Sequence, residues 1–80
     1  MLELIEHDAI HQLRLARPPV NALDPALVRA LRDAIARAQR EGARGLVLSG
    51  RDGMFSAGLD VPVLLTLPRD ALRTFWNDFF

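Results

Sequence analysis

A helix with clear start and stop signals, followed at once by a continuous apolar run, constrains this chain more than any other feature. Asp24 is a strong N-cap, proline suits the first helical position after it, and Gly42 is a typical helix end. Five apolar residues of segment 24–41 form a stripe along one helical face: Leu27, Leu31, Ala34, Ile35 and Ala38. The next apolar run, Leu-Val-Leu at 46–48, does not alternate with polar residues. It predicts a strand over residues 44–49 that is buried on both faces of a parallel sheet. We therefore predict an α/β fold in which the helix is a right-handed crossover between two strands.

Two short strands, residues 2–6 and 10–16, precede this helix. In the second strand apolar and polar residues alternate with a period of two, which is typical of a half-buried strand. The His-Asp-Ala segment at 7–9 suits a tight turn, so the pair is predicted to form a β-hairpin. Pro18 and Pro19 end the second strand, because proline has no N–H for the ladder.

The last third of the chain predicts a turn at 51–53, a short helix capped by Asp60 and beginning near Val61, and a final helix with Asp70 at its start. Four of the five aromatic side chains fall in segment 71–80, which has no later sequence to cover it. An exposed apolar patch of this kind indicates an interface or missing protein. We expect either that a partner covers this helix or that the sequence is cut short.

Composition excludes several classes of function. Eighty residues make one domain at most, and a formal net charge of zero argues against nucleic acid as the main partner. There is no cysteine, which excludes a disulfide framework and a thiolate metal site. The apolar runs are far shorter than the ~18 residues that a membrane helix needs, and the acidic N-terminus is not typical of a signal peptide. We therefore expect a cytoplasmic protein with no membrane partner.

The segment 55–60 (Phe-Ser-Ala-Gly-Leu-Asp) is the main candidate for chemistry. Its small residues allow close approach of a ligand to the backbone, and leave N–H groups free to point at it. The amide of Leu59 follows a glycine and precedes a predicted helix start, so it could bind an oxyanion. The alternative is a glycine turn that only joins a strand to a helix, and the spacing leaves both interpretations open.

Other kinds of site find little support. No nucleotide phosphate loop, dinucleotide glycine motif or G-x-S-x-G elbow is present. His7 and His11 flank the predicted hairpin turn, and we interpret them as surface or hairpin histidines rather than metal ligands. Asp60 and Asp70 are interpreted as helix caps.

Three ordered blocks of this sequence resemble the N-terminal part of the crotonase superfamily, the enoyl-CoA hydratase/isomerase family. They are residues 17–23 (Arg-Pro-Pro-Val-Asn-Ala-Leu), 45–50 (Gly-Leu-Val-Leu-Ser-Gly) and 55–60. The resemblance implies a spiral of ββα units that is incomplete here, with residues 1–80 forming an N-terminal fragment of about a third of the fold. It also implies acyl-CoA thioesters as substrates, and trimers or dimers of trimers for a full-length protein.

The same resemblance implies roles for individual residues. The backbone N–H of Leu59 would be the first of two donors in an oxyanion hole that stabilises an enolate. The residues expected to contact substrate are Ala22, Ser56, Ala57, Gly58, Leu59, Asp60 and Val61. Coenzyme A would be part of the substrate, with no separate cofactor and no metal. The second donor and the catalytic glutamates of the family have no counterpart in these residues.

Two alternatives remain open on the sequence. The chain could be a non-catalytic remnant that binds CoA or docks on a larger protein, or a small α/β domain of unrelated function. The sequence also does not separate a hydratase from a Δ3,Δ2-enoyl-CoA isomerase, because in the family that choice depends on the glutamates.

Overall fold

The computed structural model describes all residues, 1–80, and contains three strands and three helices. In chain order they are β1 (Leu2–His7), β2 (Ile10–Leu15), α1 (Pro25–Arg40), β3 (Gly45–Ser49), α2 (Val61–Leu64) and α3 (Arg69–Phe79). The strands form one sheet in the order β1-β2-β3. None of the helices is both long enough and apolar enough to cross a bilayer.

The predicted hairpin is confirmed, with its turn one residue shorter than expected. His7 pairs with Ile10 in the antiparallel register of β1 and β2, so only Asp8 and Ala9 form the turn. Asp8 has a φ of 56°, a conformation that aspartate tolerates better than most residues. Alternation along β2 buries Leu13 and Leu15 on one face of the sheet, as the period-two pattern predicts.

Helix α1 begins and ends where its sequence signals predict. The Oδ1 of Asp24 accepts a hydrogen bond of 2.9 Å from the N–H of Leu27, and Pro25 is the first helical residue. At the other end Gly42 has a φ of +80°, and the N–H of Ala43 returns to the carbonyl of Ala38 at 3.0 Å. Helix α1 is therefore stabilised at both ends by local interactions.

Replacing Asp24 by alanine is expected to destabilise the fold by about 1–2 kcal/mol, because the helix loses its cap. Asp24 is buried and also forms an ion pair with Arg17, so the same change leaves that guanidinium without its partner. Urea unfolding followed by circular dichroism measures the effect. Asp24→Asn is the matched control, since it keeps the capping oxygen and loses only the charge. Equal stability of Asp24→Ala and the wild type would contradict the role of the cap.

Strand β3 pairs in parallel with β2, which confirms that α1 is a crossover between these two strands, while its right hand stays a prediction. The expectation that β3 is buried on both faces is wrong for this chain. Its three central residues, Leu46, Val47 and Leu48, are exposed on both faces, with Val47 48% exposed. The faces of a strand are buried by elements that pack over the sheet, and α1 packs mainly on β1 and β2 rather than on the edge strand β3.

Helix α3 packs against α1 through a small apolar cluster. Phe75 is only 2% exposed and forms this cluster with Val28 of α1 and Leu64 of α2. At the edge of the contact, the Nε of Arg29 donates to the Oδ2 of Asp78 at 2.9 Å. The aromatic segment is thus covered on one face from within the chain, contrary to the expectation that it is uncovered.

Two details of α3 correct the sequence analysis further. Asp70 lies in the first turn of the helix, where an acid is favourable, but it is not the cap, because Pro68 occupies that position without a side-chain hydrogen bond. The exposed aromatic surface is confined to the end of the helix, at Phe79 and Phe80.

Candidate functional site

The candidate site is the loop from Phe55 to Val61, which connects β3 to α2. This loop lies along the segment 17–23 that connects β2 to α1, and backbone hydrogen bonds join the two. Ala57 donates to the carbonyl of Val20 at 2.9 Å, and Leu23 donates to the carbonyl of Gly58 at 2.8 Å. Leu23 and Leu59 form an isolated parallel bridge. Two of the sequence blocks that carried the resemblance are therefore adjacent in space.

The bridge determines the direction of the Leu59 amide. In a trans peptide the C=O and the N–H point in opposite directions. The C=O of Gly58 accepts from Leu23, so the N–H of the same peptide, which belongs to Leu59, points away from the 17–23 segment. The next amide, that of Asp60, turns back and donates to the carbonyl of Leu23 at 2.9 Å.

Leu59 carries the one amide of residues 57–61 that has no acceptor within the chain. The other donors and their acceptors are Ala57 to Val20 O, Gly58 to Ser56 Oγ, Asp60 to Leu23 O and Val61 to Leu59 O. Because unpaired amides are costly when buried, a free N–H in an ordered loop either faces water or is available to a ligand. The Leu59 residue as a whole, side chain included, is 36% exposed.

Gly58 provides the backbone conformation that this geometry needs. Its φ is +94°, a region that residues with a Cβ rarely adopt. An ideal Cβ at this position would meet no atom within 4 Å, so the requirement for glycine comes from the backbone and not from lack of space.

Gly58→Ala is expected to lower the free energy of unfolding by about 1–2 kcal/mol through this left-handed strain. Gly53 is the matched control, because it too has a positive φ, +74°, and open space around its Cβ position. We expect the two alanine variants to be destabilised equally in urea unfolding, and only the variant at residue 58 to change the Leu59 amide resonance in an NMR spectrum. An unchanged resonance in Gly58→Ala would contradict the link between these two residues.

The remaining predicted site residues separate into exposed residues and residues with internal partners. Ala22 is partly buried and precedes Leu23, whose bridge to Leu59 places the two segments side by side. In the loop itself, Ala57 and Val61 are exposed. Asp60 caps α2, since its Oδ1 accepts from the N–H of Val63 at 3.3 Å. Helix α2 has only four residues, so any oxyanion binding rests on the Leu59 N–H itself rather than on a helix dipole.

The loop lies on open surface in this chain. None of the five cavities of the structure is lined by residues 56–61. The largest, about 370 Å³, lies between β1, β2 and α1 and is lined in part by His11. The roles assigned to the loop residues therefore stay predictions.

Asn21 is a residue of this site whose structural role sequence reasoning missed. It is 2% exposed, has a φ of 51°, and its side chain contacts both loops. Its Oδ1 accepts from the N–H of Arg17 at 2.7 Å, and its Nδ2 donates to the carbonyl of Phe55 at 2.9 Å. The signal in the sequence is an asparagine two residues after a pair of prolines, since asparagine tolerates positive φ.

Both histidines lie in the β1–β2 hairpin as predicted, but His11 is buried, at 6% exposure, whereas His7 is exposed. The Nδ1 of His11 has no hydrogen-bond partner. A ring nitrogen of His11 and one carboxylate oxygen each of Glu6 and Glu41 lie within 4.8 Å of one another, a distance at which they could share a metal ion. Both glutamates are exposed, and Glu41 already pairs with Arg37 at 3.3 Å. Acids near a histidine are common without an ion, so this cluster does not by itself define a metal site.

Comparison with known proteins identifies the family. A sequence profile described as enoyl-CoA hydratase/isomerase matches residues 6–79. The chain therefore belongs to the enoyl-CoA hydratase/isomerase family. The peroxisomal bifunctional enzyme of Pongo abelii is 38% identical over 56 residues, which cover 69% of this chain and 8% of that enzyme.

Solved structures support the same assignment at the level of the fold. The enoyl-CoA hydratase of Thermoplasma volcanium superposes with a TM-score of 0.82 at 26% identity, covering 96% of this chain and 32% of that structure. Human mitochondrial Δ3,Δ2-enoyl-CoA isomerase gives a TM-score of 0.82 at 26% identity, over 96% of this chain and 31% of its own. The predicted α/β crotonase-like fold is thus confirmed, and the chain spans about a third of the length of these enzymes.

Proposed function

We propose that this chain binds acyl-CoA thioesters and contributes one backbone donor of an oxyanion hole to an enoyl-CoA hydratase or isomerase reaction. The observation that carries the proposal is the free N–H of Leu59, since the other amides of residues 57–61 all have acceptors. Coenzyme A enters as part of the substrate, and the proposal needs no separate cofactor or metal.

The chemistry explains why a backbone donor suits this reaction. When a thioester forms an enolate, negative charge develops on the carbonyl oxygen. A donor that is already held in place stabilises this charge without having to reorganise, and losing one such donor typically lowers the rate by about 10²–10³. Leu23 and Val20 hold the backbone on either side of the Leu59 amide, so its direction is set before substrate binds.

Proton transfer to and from the acyl chain requires an acid or base in addition to this donor. The carboxylate of Asp60 is occupied in capping α2, and the three glutamates lie on β1 or directly after α1. This arrangement favours a second candidate function, binding of acyl-CoA without turnover. Assay of the 80-residue chain with enoyl-CoA substrates of several lengths separates the two, because turnover supports the enzyme and binding alone supports the second candidate.

The proposal is tested by a matched pair of ligands. S-ethyl-CoA is a thioether that has the carbon chain of acetyl-CoA without the carbonyl oxygen. If the Leu59 amide holds that oxygen, calorimetry should show acetyl-CoA binding about three- to tenfold more tightly, the range expected for one hydrogen bond. Equal affinity for the two ligands, or no binding of either, would overturn the proposal.

The proposal also covers the oligomeric state of the protein and its location in the cell. Homotrimers or hexamers are the arrangement that the family resemblance implies, and the exposed apolar side chains of β3 are compatible with burial between copies. Light scattering after size exclusion measures the mass directly, and a monomer at high concentration would contradict self-association of these residues. We retain the cytoplasm as the proposed location, to be checked by imaging of a tagged protein.

A further inference from the structure

Ser56 joins the two segments of the site through a single hydroxyl. Its Oγ donates to the backbone carbonyl of Asn21 at 2.7 Å and accepts from the N–H of Gly58 at 3.0 Å. The hydroxyl proton is therefore donated to a group of the protein itself, and the bond from Gly58 occupies one of the lone pairs of the oxygen. Ser56 is predicted to contact substrate, whereas both hydrogen bonds of its hydroxyl are to the protein backbone.

Asn21 holds the acceptor on which Ser56 depends. Its backbone N–H donates to the carbonyl of Arg17 at 2.8 Å, and its side chain bonds to the backbone of Arg17 and Phe55. Because Asn21 is almost fully buried, these bonds are shielded from competition with water. The backbone and the side-chain hydrogen bonds of Asn21 together fix the position of its carbonyl.

The two bonds at Gly58 define the orientation of the next peptide. The N–H of Gly58 is held by Ser56 and its C=O is held by the N–H of Leu23. The bond to Leu23 sets the direction of the Leu59 N–H, but glycine has more backbone freedom than any other residue. Without the bond from Ser56, the φ and ψ of Gly58 would be less restricted, so the Leu59 N–H would keep its direction less closely.

We propose that Asn21 and Ser56 are positioning residues that aim the Leu59 amide at the thioester oxygen, an inference that rests on the proposed function. They act through Gly58 and do not touch the substrate. Their contribution is preorganisation: they keep the donor in the direction where the carbonyl oxygen arrives.

The test uses the ratio of the two dissociation constants, that for S-ethyl-CoA divided by that for acetyl-CoA. General destabilisation weakens both ligands equally and leaves the ratio unchanged, whereas loss of positioning lowers it. In Ser56→Ala we expect the ratio to fall from about three to ten toward one, and in Ser56→Thr, which keeps the hydroxyl, we expect most of the wild-type ratio. Asn21→Gly is a second variant, because glycine permits the φ of 51° and removes only the side-chain bonds.

The outcomes separate this inference from the proposed function. A wild-type ratio above one that collapses in Ser56→Ala or Asn21→Gly supports positioning. A ratio that stays at the wild-type value in every folded variant overturns positioning and leaves the proposed function intact. A wild-type ratio of one overturns both. Should Ser56→Ala fail to fold, the ratio in Asn21→Gly decides, with NMR spectra establishing that the variant is folded.

Discussion

Leu59→Pro is expected to remove the preference of the protein for acetyl-CoA over S-ethyl-CoA and to lower any enoyl-CoA turnover by about 10²–10³. Proline has no N–H, so the variant lacks the one donor of residues 57–61 that has no acceptor in the chain. Folding should be affected less than binding, because no internal hydrogen bond of the Leu59 N–H is lost. Calorimetry with the two ligands, together with a coupled turnover assay, measures both effects.

Two controls separate loss of the N–H from distortion by the proline ring. Leu59→Ala keeps the N–H and should retain the wild-type preference for acetyl-CoA. Chemical synthesis of this short chain also allows an ester in place of the Gly58–Leu59 amide, which removes the N–H with little change in shape. A normal ligand preference in the ester analogue would contradict the assigned donor, as would loss of the preference in Leu59→Ala.

Phe75→Ala is expected to lower the free energy of unfolding by about 3–5 kcal/mol, the usual effect of removing a buried aromatic side chain. Phe75 is one of the largest fully buried side chains and connects α3 to Val28 and Leu64. Native proteins have a total stability of about 5–15 kcal/mol, so this variant should lose a large fraction of its stability and unfold at a much lower urea concentration. Urea titration measures the change, with fluorescence of the single tryptophan, Trp76, as the reporter, since its ring lies 5.1 Å from that of Phe75.

Phe79→Ala is the matched control for this prediction, because the side chain has the same chemistry and lies on the same helix but is 40% exposed. It should change stability by much less than the variant at position 75. Similar effects of the two substitutions would contradict the anchoring of α3 through Phe75.

Most of the local structure could be predicted from the sequence, because its causes are local. The capping aspartate, the following proline and Gly42 each act on backbone groups within a few residues, and together they defined α1 to within one residue at each end. The hairpin and the parallel β2–β3 pairing followed in the same way, from alternation in one strand and a continuous apolar run in the other.

Burial could not be predicted equally well, because it depends on which elements become neighbours. The run at 46–48 is typical of a strand covered on both faces, yet β3 is an edge strand whose central residues are exposed. Phe75 shows the opposite error, since it belongs to an aromatic segment expected to be uncovered and is buried against α1 and α2. In both cases the sequence pattern describes the side chains and not their surroundings.

The candidate site shows the same division. Gly58 and the amide after it could be identified from residue type, because a positive φ favours glycine. The roles of Asn21 and Ser56 could not, since the hydrogen bond between them joins residues 35 positions apart in the sequence. Hydrogen bonds between a side chain and a distant backbone group produce no repeating residue pattern in the sequence. They can be identified only from a structure that shows the two loops side by side.

The amide proton of Leu59 offers the most direct measurement of the central claim. In a ¹⁵N-labelled sample, adding acetyl-CoA should move this resonance downfield as the N–H donates to the thioester oxygen, and adding S-ethyl-CoA at the same occupancy should leave it nearly unchanged. An identical response of Leu59 to both ligands, or no response to either at saturation, would contradict the account.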